Sequence, residues 1–336
     1  MKKRIAALVA ALLTLAALTA CQQSAASQMD EAEQAALRQQ AAAARDAGAP
    51  ALPEGLAFGG DGAPVITIYN TTSEDYEDVA IEDYVMGVLA GEMRNDWPME
   101  ALKAQAILAR TFVLKFISEK ESKYPGAQIS TDISEAQAYA PEAINDRIRK
   151  AVNDTRGLVL SADGELPYAW FHAHSGGRTE LPVEGLSYEG GNPGYTQIVD
   201  SPDSDSAPTS VKQWEATFTA EEVAAAARET GAGVGETVNS IELGRKSESG
   251  RTVTFLINGR EVSAPNLRVN LDSARLKSTL LDSVSLENGK VTFKGRGYGH
   301  GVGMSQWGAY ALASEGQSAE DIVTYYFRDV TVARVW

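Results

Sequence analysis

Apolar and polar positions sort this chain into a series of short elements. Val65-Ile66-Thr67-Ile68-Tyr69 alternates with period two, which predicts a strand where the folded part begins, near Pro64. Residues 79–91 carry a short apolar helical pattern. A second helix opens after Asp96-Trp97, with Pro98 at the first helical position, where a missing N–H costs nothing. Met99, Leu102, Ala106, Ala109, Val113 and Phe116 recur at 3-4-3-4-3 spacing and give that helix a buried stripe. Lys103 and Arg110 share one face beside the stripe, and periodicity alone reads them as a solvated flank with buried stems.

Further along, a shorter helix is expected over Pro141–Asn153, followed by a strand at Leu158-Val159-Leu160 and a turn at Asp163-Gly164. A second strand from Pro167 to His174 would place Tyr168, Trp170, His172 and His174 on one face. Residues 185–210 are dense in Gly, Pro, Ser and Asp and read as a loop or boundary. Phe218–Thr230 reads as a helix; Ser240–Leu243, Thr252–Ile257 and Glu261–Ser263 read as strands, with a hairpin turn at Asn258-Gly259. Helices at Trp307–Ser314 and Ser318–Tyr326 follow the glycine-rich run Gly295–Gly308. The expected fold is α+β, a mixed helix and strand core (64–200 and 292–336) with a smaller inserted α+β module at about 211–291.

Composition changes this picture mainly at the N-terminus. Met1-Lys2-Lys3-Arg4 is basic, Ile5–Leu18 is apolar, and Leu18-Thr19-Ala20-Cys21 ends in small residues before a cysteine. That ending is similar to a bacterial lipobox, so residues 1–21 are expected to be a lipoprotein signal peptide, with Cys21 lipidated and holding the chain to the outer face of a membrane. Residues 22–63 are rich in Ala, Gln and Pro and read as a tether, with a short helix over Asp30–Arg45. Cys21 is the only cysteine, which leaves the rest of the chain without a disulfide or a thiol nucleophile. A net charge of −15 argues against nucleic acid as a partner, since a polyanion requires a Lys/Arg-rich face.

Candidate chemistry is concentrated in few places. Glu92 is a lone carboxylate in the turn between two helical patterns, with Lys103 and Arg110 on the second. Trp97, Tyr298 and Trp307 would offer flat faces to sugar rings, and a carboxylic acid partly buried among aromatics can protonate a glycosidic oxygen. The three histidines are selective: His172 and His174 precede Ser175-Gly176-Gly177-Arg178-Thr179, and His300 lies in Gly299-His300-Gly301-Val302-Gly303. His172-x-His174 offers two ligands to a metal, but zinc wants three or four, and the cysteine is assigned to the lipid. Hydrogen-bonded pocket histidines are the preferred reading, with no metal and no cofactor expected. No nucleophile elbow supports a Ser-His-Asp hydrolase around Ser175, and the glycines do not follow a phosphate-loop pattern.

Taken together, Tyr84-Val85-Met86-Gly87-Val88-Leu89-Ala90-Gly91-Glu92-Met93, Trp97-Pro98-Met99-Glu100-Ala101-Leu102-Lys103-Ala104-Gln105-Ala106, Ala109-Arg110-Thr111-Phe112, Phe171-His172-Ala173-His174-Ser175-Gly176-Gly177-Arg178-Thr179 and Gly299–Ala309 resemble the stage II sporulation protein D / amidase-enhancer family. The resemblance covers about 64–336. It implies a peptidoglycan lytic transglycosylase that cleaves between N-acetylmuramic acid and N-acetylglucosamine in strands stripped of stem peptides, leaving 1,6-anhydro ends. Glu92 would then be the catalytic acid and base. Lys103, Arg110, His172, Ser175, Tyr298, His300, Ser305 and Gln306 would bind substrate or support Glu92. The implied partners are glycan strands and an amidase of the sporulation machinery; the alternative is a non-catalytic wall-binding amidase enhancer. Some relatives bind zinc through His and Cys, whereas this chain keeps no cysteine in the domain and carries His174 where relatives often have a small hydroxyl residue. The lipobox is a further departure, since sporulation members commonly carry a spanning helix.

Overall fold

The computed structural model describes residues 31–336. The basic segment, the lipobox and Cys21 therefore lie outside the described residues, as does Asp30. The chain divides into two compact units. The first takes in the described residues through Asp96, then Gln105–Tyr168 and Thr331–Trp336; the second takes in Trp97–Ala104 and Ala169–Val330. Their mix of helices and small sheets is an α+β fold.

The first unit begins with α1 (Glu31–Ala44) and the two-residue strand β1 (Ala57–Phe58). β2 (Pro64–Asn70) pairs antiparallel with β1 and β3 (Asp75–Ala80), and parallel with the short β4 (Ile129–Ser130). The alternation read at Val65–Tyr69 appears as buried Ile66 and Ile68 between partly exposed neighbours. α2 (Ile81–Glu92) leaves the sheet directly, and Glu92 is its last residue rather than part of the turn beyond. α3 (Met99–Glu119) begins in the second unit and continues in the first. It is buried nearly all round between Ala101 and Leu114, a wider apolar surface than the single stripe expected.

The segment expected as one helix over Pro141–Asn153 is a 3-10 turn (Pro141–Ala143) followed by α4 (Asp146–Asp154). Asn145 separates them, because its side chain caps α4 by accepting from the N–H groups of Arg147 and Ile148. β5 (Leu158–Ser161) pairs antiparallel with the C-terminal strand Thr331–Arg334 and not with the segment after the turn.

One buried ion pair ties these pieces together. Glu82, in the first turn of α2, accepts from Arg110 Nη2 at 2.6 Å through one oxygen. Its other oxygen accepts from Gly157 N at 3.0 Å and from Trp336 Nε1 at 3.2 Å. Arg110 Nη1 donates to the carbonyls of Leu158 and Ala106. Arg110 is wholly buried, so the solvated flank read from periodicity is corrected: a charge this deep must be paired, and Glu82 pairs it.

The second unit holds β6 (Phe171–His172), β7 (Trp214–Thr219), α5 (Ala220–Glu229), β8 (Ile241–Leu243), β9 (Thr254–Ile257), β10 (Arg260–Ser263), α6 (Ala264–Asp272), β11 (Leu281–Glu287), β12 (Lys290–Gly295), β13 (Met304–Ser305), α7 (Gln306–Ser314) and α8 (Ala319–Tyr326). β7, β12 and β11 form one antiparallel sheet and β8, β9 and β10 another. Side chains from Trp214 to Phe293 on these strands and on α5 and α6 share one apolar core. The turn at Asn258-Gly259 is a hairpin with both residues at positive φ, as type I′ requires. The helix expected from Phe218 instead starts at Ala220. Trp214, Ala216 and Phe218 alternate as buried strand positions, and Thr219 and Glu222 close a capping box on α5.

The strand expected over Pro167–His174 is reduced to β6, which lies parallel to β13. Tyr168 lies outside that strand. It falls in the first unit, where its hydroxyl donates to Glu119 at 2.5 Å.

Removing one partner of the Glu82–Arg110 pair leaves a buried charge behind. Arg110→Met is expected to lower the unfolding free energy by about 3–5 kcal/mol. Adding Glu82→Met should recover only part, because the Gly157 and Trp336 donors lose their acceptor. Urea unfolding of the three variants checks this; a loss under about 1 kcal/mol for Arg110→Met contradicts it.

Candidate active site

The first unit supplies Glu92. α2 ends on it, and the chain leaves in extended conformation at Met93. One carboxylate oxygen accepts from the backbone N–H of Ala138 at 2.8 Å. The segment carrying that N–H is strapped along the helix. Ala140 N donates to the carbonyl of Gly87, and a side chain at Gly91 would stand 2.8 Å from the carbonyl carbon of Ala138. Only glycine lets the strap come this close. Ala90–Asp96 line an open depression of about 400 Å³ with Glu92 on its wall.

Of the other expected residues, Arg110 lies in the first unit, and Lys103, His172, Ser175, Tyr298, His300, Ser305 and Gln306 fall in the second. Lys103 pairs with Glu100 at 3.0 Å on the first turns of α3. Trp97 and Trp307 are buried against each other, ring centroids 4.4 Å apart, with Tyr310 closing the cluster. The flat faces expected for sugars are thus turned into packing at these two tryptophans. Tyr298 is half-buried and bridges His174 through backbone bonds in both directions.

The two histidine- and glycine-bearing loops are brought together. β6 and β13 pair His172 with Ser305 in register. Ser175 N donates to Ser305 Oγ, which also caps α7 by accepting from Gly308 N. Gln306 is the first residue of that helix and is buried. Both serine hydroxyls donate to Asp203 at 2.6 Å, and Asp203 also accepts from Ser201 Oγ and the N–H groups of Gly176 and Gly177. Ser175 is therefore a structural donor to a carboxylate, with Arg251 donating to its carbonyl at 2.6 Å.

Neither Asp203 nor Arg251 stands out in the sequence. Asp203 lies in the loop-like stretch 185–210, and Arg251 sits between a turn and a strand with no motif around it. Ala138 is equally silent, and for Glu82 the one signal available is a charge at the start of an apolar helical pattern.

The histidines are held neutral by burial. His172 Nδ1–H donates to the carbonyl of Val302 at 3.1 Å. Desolvation, and then the charge of Arg251, bring its pKa down to about 3. His300 is pushed well below the ordinary value by desolvation and by His172. Its Nδ1 accepts from Val302 N, and the carbonyl of Phe171 takes its ring N–H. His174 accepts from Gly176 N and lies 3.2 Å from Asp203; desolvation lowers its pKa although Asp203 opposes the shift. Among the described residues no three or more His, Cys, Asp or Glu are grouped so that they could hold a metal ion.

Comparison with known proteins places the chain. Residues 69–161 match the family described as "Stage II sporulation protein", and residues 194–303 match a domain of unknown function. The chain is 30% identical to stage II sporulation protein D of Bacillus subtilis over 287 residues, which is 80% of this chain and 78% of that protein. An uncharacterized protein of Brachyspira hyodysenteriae is 31% identical over 269 residues, 79% of this chain and 69% of that one. The amidase enhancer of Bacillus subtilis is 30% identical over 289 residues, 73% of this chain but 40% of the longer relative. This chain belongs to the stage II sporulation protein D / amidase-enhancer family.

The depressed His172 pKa fixes the sign of a pH effect. Unfolded chains bind a proton near pH 6.5 and the folded one only near pH 3, so the unfolded state binds more protons between those values. Stability is complete above pH 6.5 and falls as the pH drops toward 3, by up to about 1.4 kcal/mol per pH unit per histidine. Urea midpoints measured from pH 7.5 downward check this, with a shallower slope expected for His172→Asn; equal slopes contradict it.

Proposed function

We propose that this chain is a peptidoglycan lytic transglycosylase with Glu92 as its single acid and base. The observation that carries the reading is the placement of Glu92: a carboxylate at a helix end, gripped by the Ala138 N–H, on the wall of an open depression. Family membership supports the substrate, glycan strands of the cell wall.

In this reading Glu92 starts protonated and gives its proton to the oxygen linking N-acetylmuramic acid to N-acetylglucosamine. The bond from the anomeric carbon to that oxygen breaks, and the leaving sugar departs as an alcohol. The Glu92 carboxylate then removes the proton from the C6 hydroxyl of the same muramic acid. The C6 oxygen bonds to the anomeric carbon and closes the 1,6-anhydro ring. Glu92 ends protonated, as it began, now with the proton of the C6 hydroxyl, while its first proton leaves on the departing sugar; no water is consumed. One carboxylate serves both steps, so no partner acid at glycosidase spacing is required. The Ala138 hydrogen bond fixes the carboxylate's rotamer, which is the preorganisation such a proton relay needs. Arg110 supports Glu92 at a distance, since its partner Glu82 anchors the first turn of the helix that ends on Glu92.

The setting follows from the same family and from the N-terminal sequence. We place the protein outside the cell membrane, held by a lipid on Cys21, acting on strands already stripped of stem peptides. A peptidoglycan amidase, in sporulation engulfment or wall remodelling, would prepare those strands. A relative named for amidase enhancement supports that partnership.

Stripped glycan strands incubated with the protein should yield anhydro-muramic ends by mass spectrometry. Glu92→Gln should lower their rate by about 100-fold or more while leaving strand binding intact. Binding without cleavage by the parent protein overturns the enzyme in favour of a non-catalytic amidase enhancer. Gly91→Ala pushes the Ala138 N–H away from Glu92 and is expected to cost about tenfold or more in rate with binding retained. An unchanged rate in that variant contradicts the role given to the strap.

A further inference from the structure

Beside Glu92 the first unit holds an amide whose hydrogen bonds are unmade. Gln137 is 3% exposed, and neither its Nε2 nor its Oε1 has a partner among the described residues. Buried primary amides are normally satisfied at both ends, because leaving donor and acceptor dry costs their full desolvation. Its position is set by what surrounds it. The Gln137 carbonyl carbon is bonded to Ala138 N, and that N–H is the one 2.8 Å from the Glu92 carboxylate. The next residues hold the backbone still: Tyr139 stacks on Tyr84 with centroids 5.5 Å apart, and Ala140 N is tied to the Gly87 carbonyl. An unmatched donor and acceptor therefore stand on a fixed strap, on the residue next to the N–H that holds the candidate acid.

We propose that Gln137 is a substrate-binding residue that reads the 2-acetamido group of the sugar beside the scissile bond. This rests on the glycan-cleaving reading above and deepens it. The chemistry selects the group. A secondary amide presents one N–H and one C=O, and a primary amide can meet both. A carboxylate would leave the Gln137 Oε1 facing negative charge, and a sugar hydroxyl would meet one end and leave the other unpaired. Acetamido groups recur along the glycan strand, so a reader fixed beside Glu92 would also set register, placing the correct oxygen against the acid. Sites built to satisfy a polar group reject ligands that lack it, since the site's own groups are then left dry.

The test compares stripped glycan strands with the same strands chemically N-deacetylated, using the full chain and its Gln137→Met variant, which keeps length and loses both polar atoms. The parent protein should prefer acetylated strands by about tenfold to a hundredfold in kcat/KM, and Gln137→Met should lose that preference while its thermal midpoint stays close to the parent's. A preference that persists in Gln137→Met, or a parent protein with none, overturns the proposal. If Gln137→Met does not fold, Gln137→Asn, which keeps the amide but withdraws it, carries the same contrast. Calorimetric binding of acetylated against deacetylated oligosaccharides separates the two readings. Failure to cleave any strand, with an acetamido preference in binding that depends on Gln137, sinks the enzyme and keeps the reader. Cleavage without that preference does the reverse.

Discussion

The first unit depends on a single buried charge being met. Arg110 has no access to water, and its guanidinium can be tolerated there only because Glu82 faces it at 2.6 Å and backbone carbonyls take further N–H bonds. Meeting that requirement draws together parts far apart in sequence: the start of α2, the middle of α3, the strand after Gly157 and the C-terminal Trp336. α2 is thereby held at its first turn by the ion pair and at its last by the strap at Ala138. A helix fixed at both ends presents its terminal carboxylate in one place. Position, rather than any unusual residue type, is what Glu92 gains from the fold.

The second unit solves a similar problem with a carboxylate at the centre. Asp203 gathers hydroxyl and backbone N–H donors from the loop after His174, and Ser305 Oγ from the start of α7. Two loops rich in glycine, which lose much entropy on ordering, are given a shared acceptor that offsets part of that cost. The neutral histidines fit this arrangement. They serve as hydrogen-bonding spacers between strands and loops, and their burial keeps additional positive charge away from Arg251.

Local patterns were legible where one element decides its own structure. The strand at Val65–Tyr69, the start of α3 just after Pro98 (one residue later than read), the Asn258-Gly259 hairpin and the two closing helices all follow from periodicity and turn chemistry. Glu92 was legible as the acid worth testing, although it ends its helix rather than sitting in the turn. Features that need a distant partner were not. The short parallel pairing of Phe171–His172 with Met304–Ser305 replaces a long strand, and the burial of Arg110 depends on a glutamate 28 residues earlier. Trp97 and Trp307 looked like sugar platforms until each was seen to be the other's packing surface. Asp203, Gln137 and Ala138 carry no pattern at all, because a backbone N–H or a loop carboxylate takes its role from what folds against it.

The central claim is that Glu92 moves a proton between two sugar oxygens without consuming water. Cleavage of stripped glycan strands in water enriched in oxygen-18 tests it directly, since ring closure by the C6 oxygen excludes solvent from the product. Muramic ends one water lighter than a hydrolysis product and free of the heavy isotope are expected. Muramic ends that carry oxygen-18, or strands that remain uncut, would contradict it.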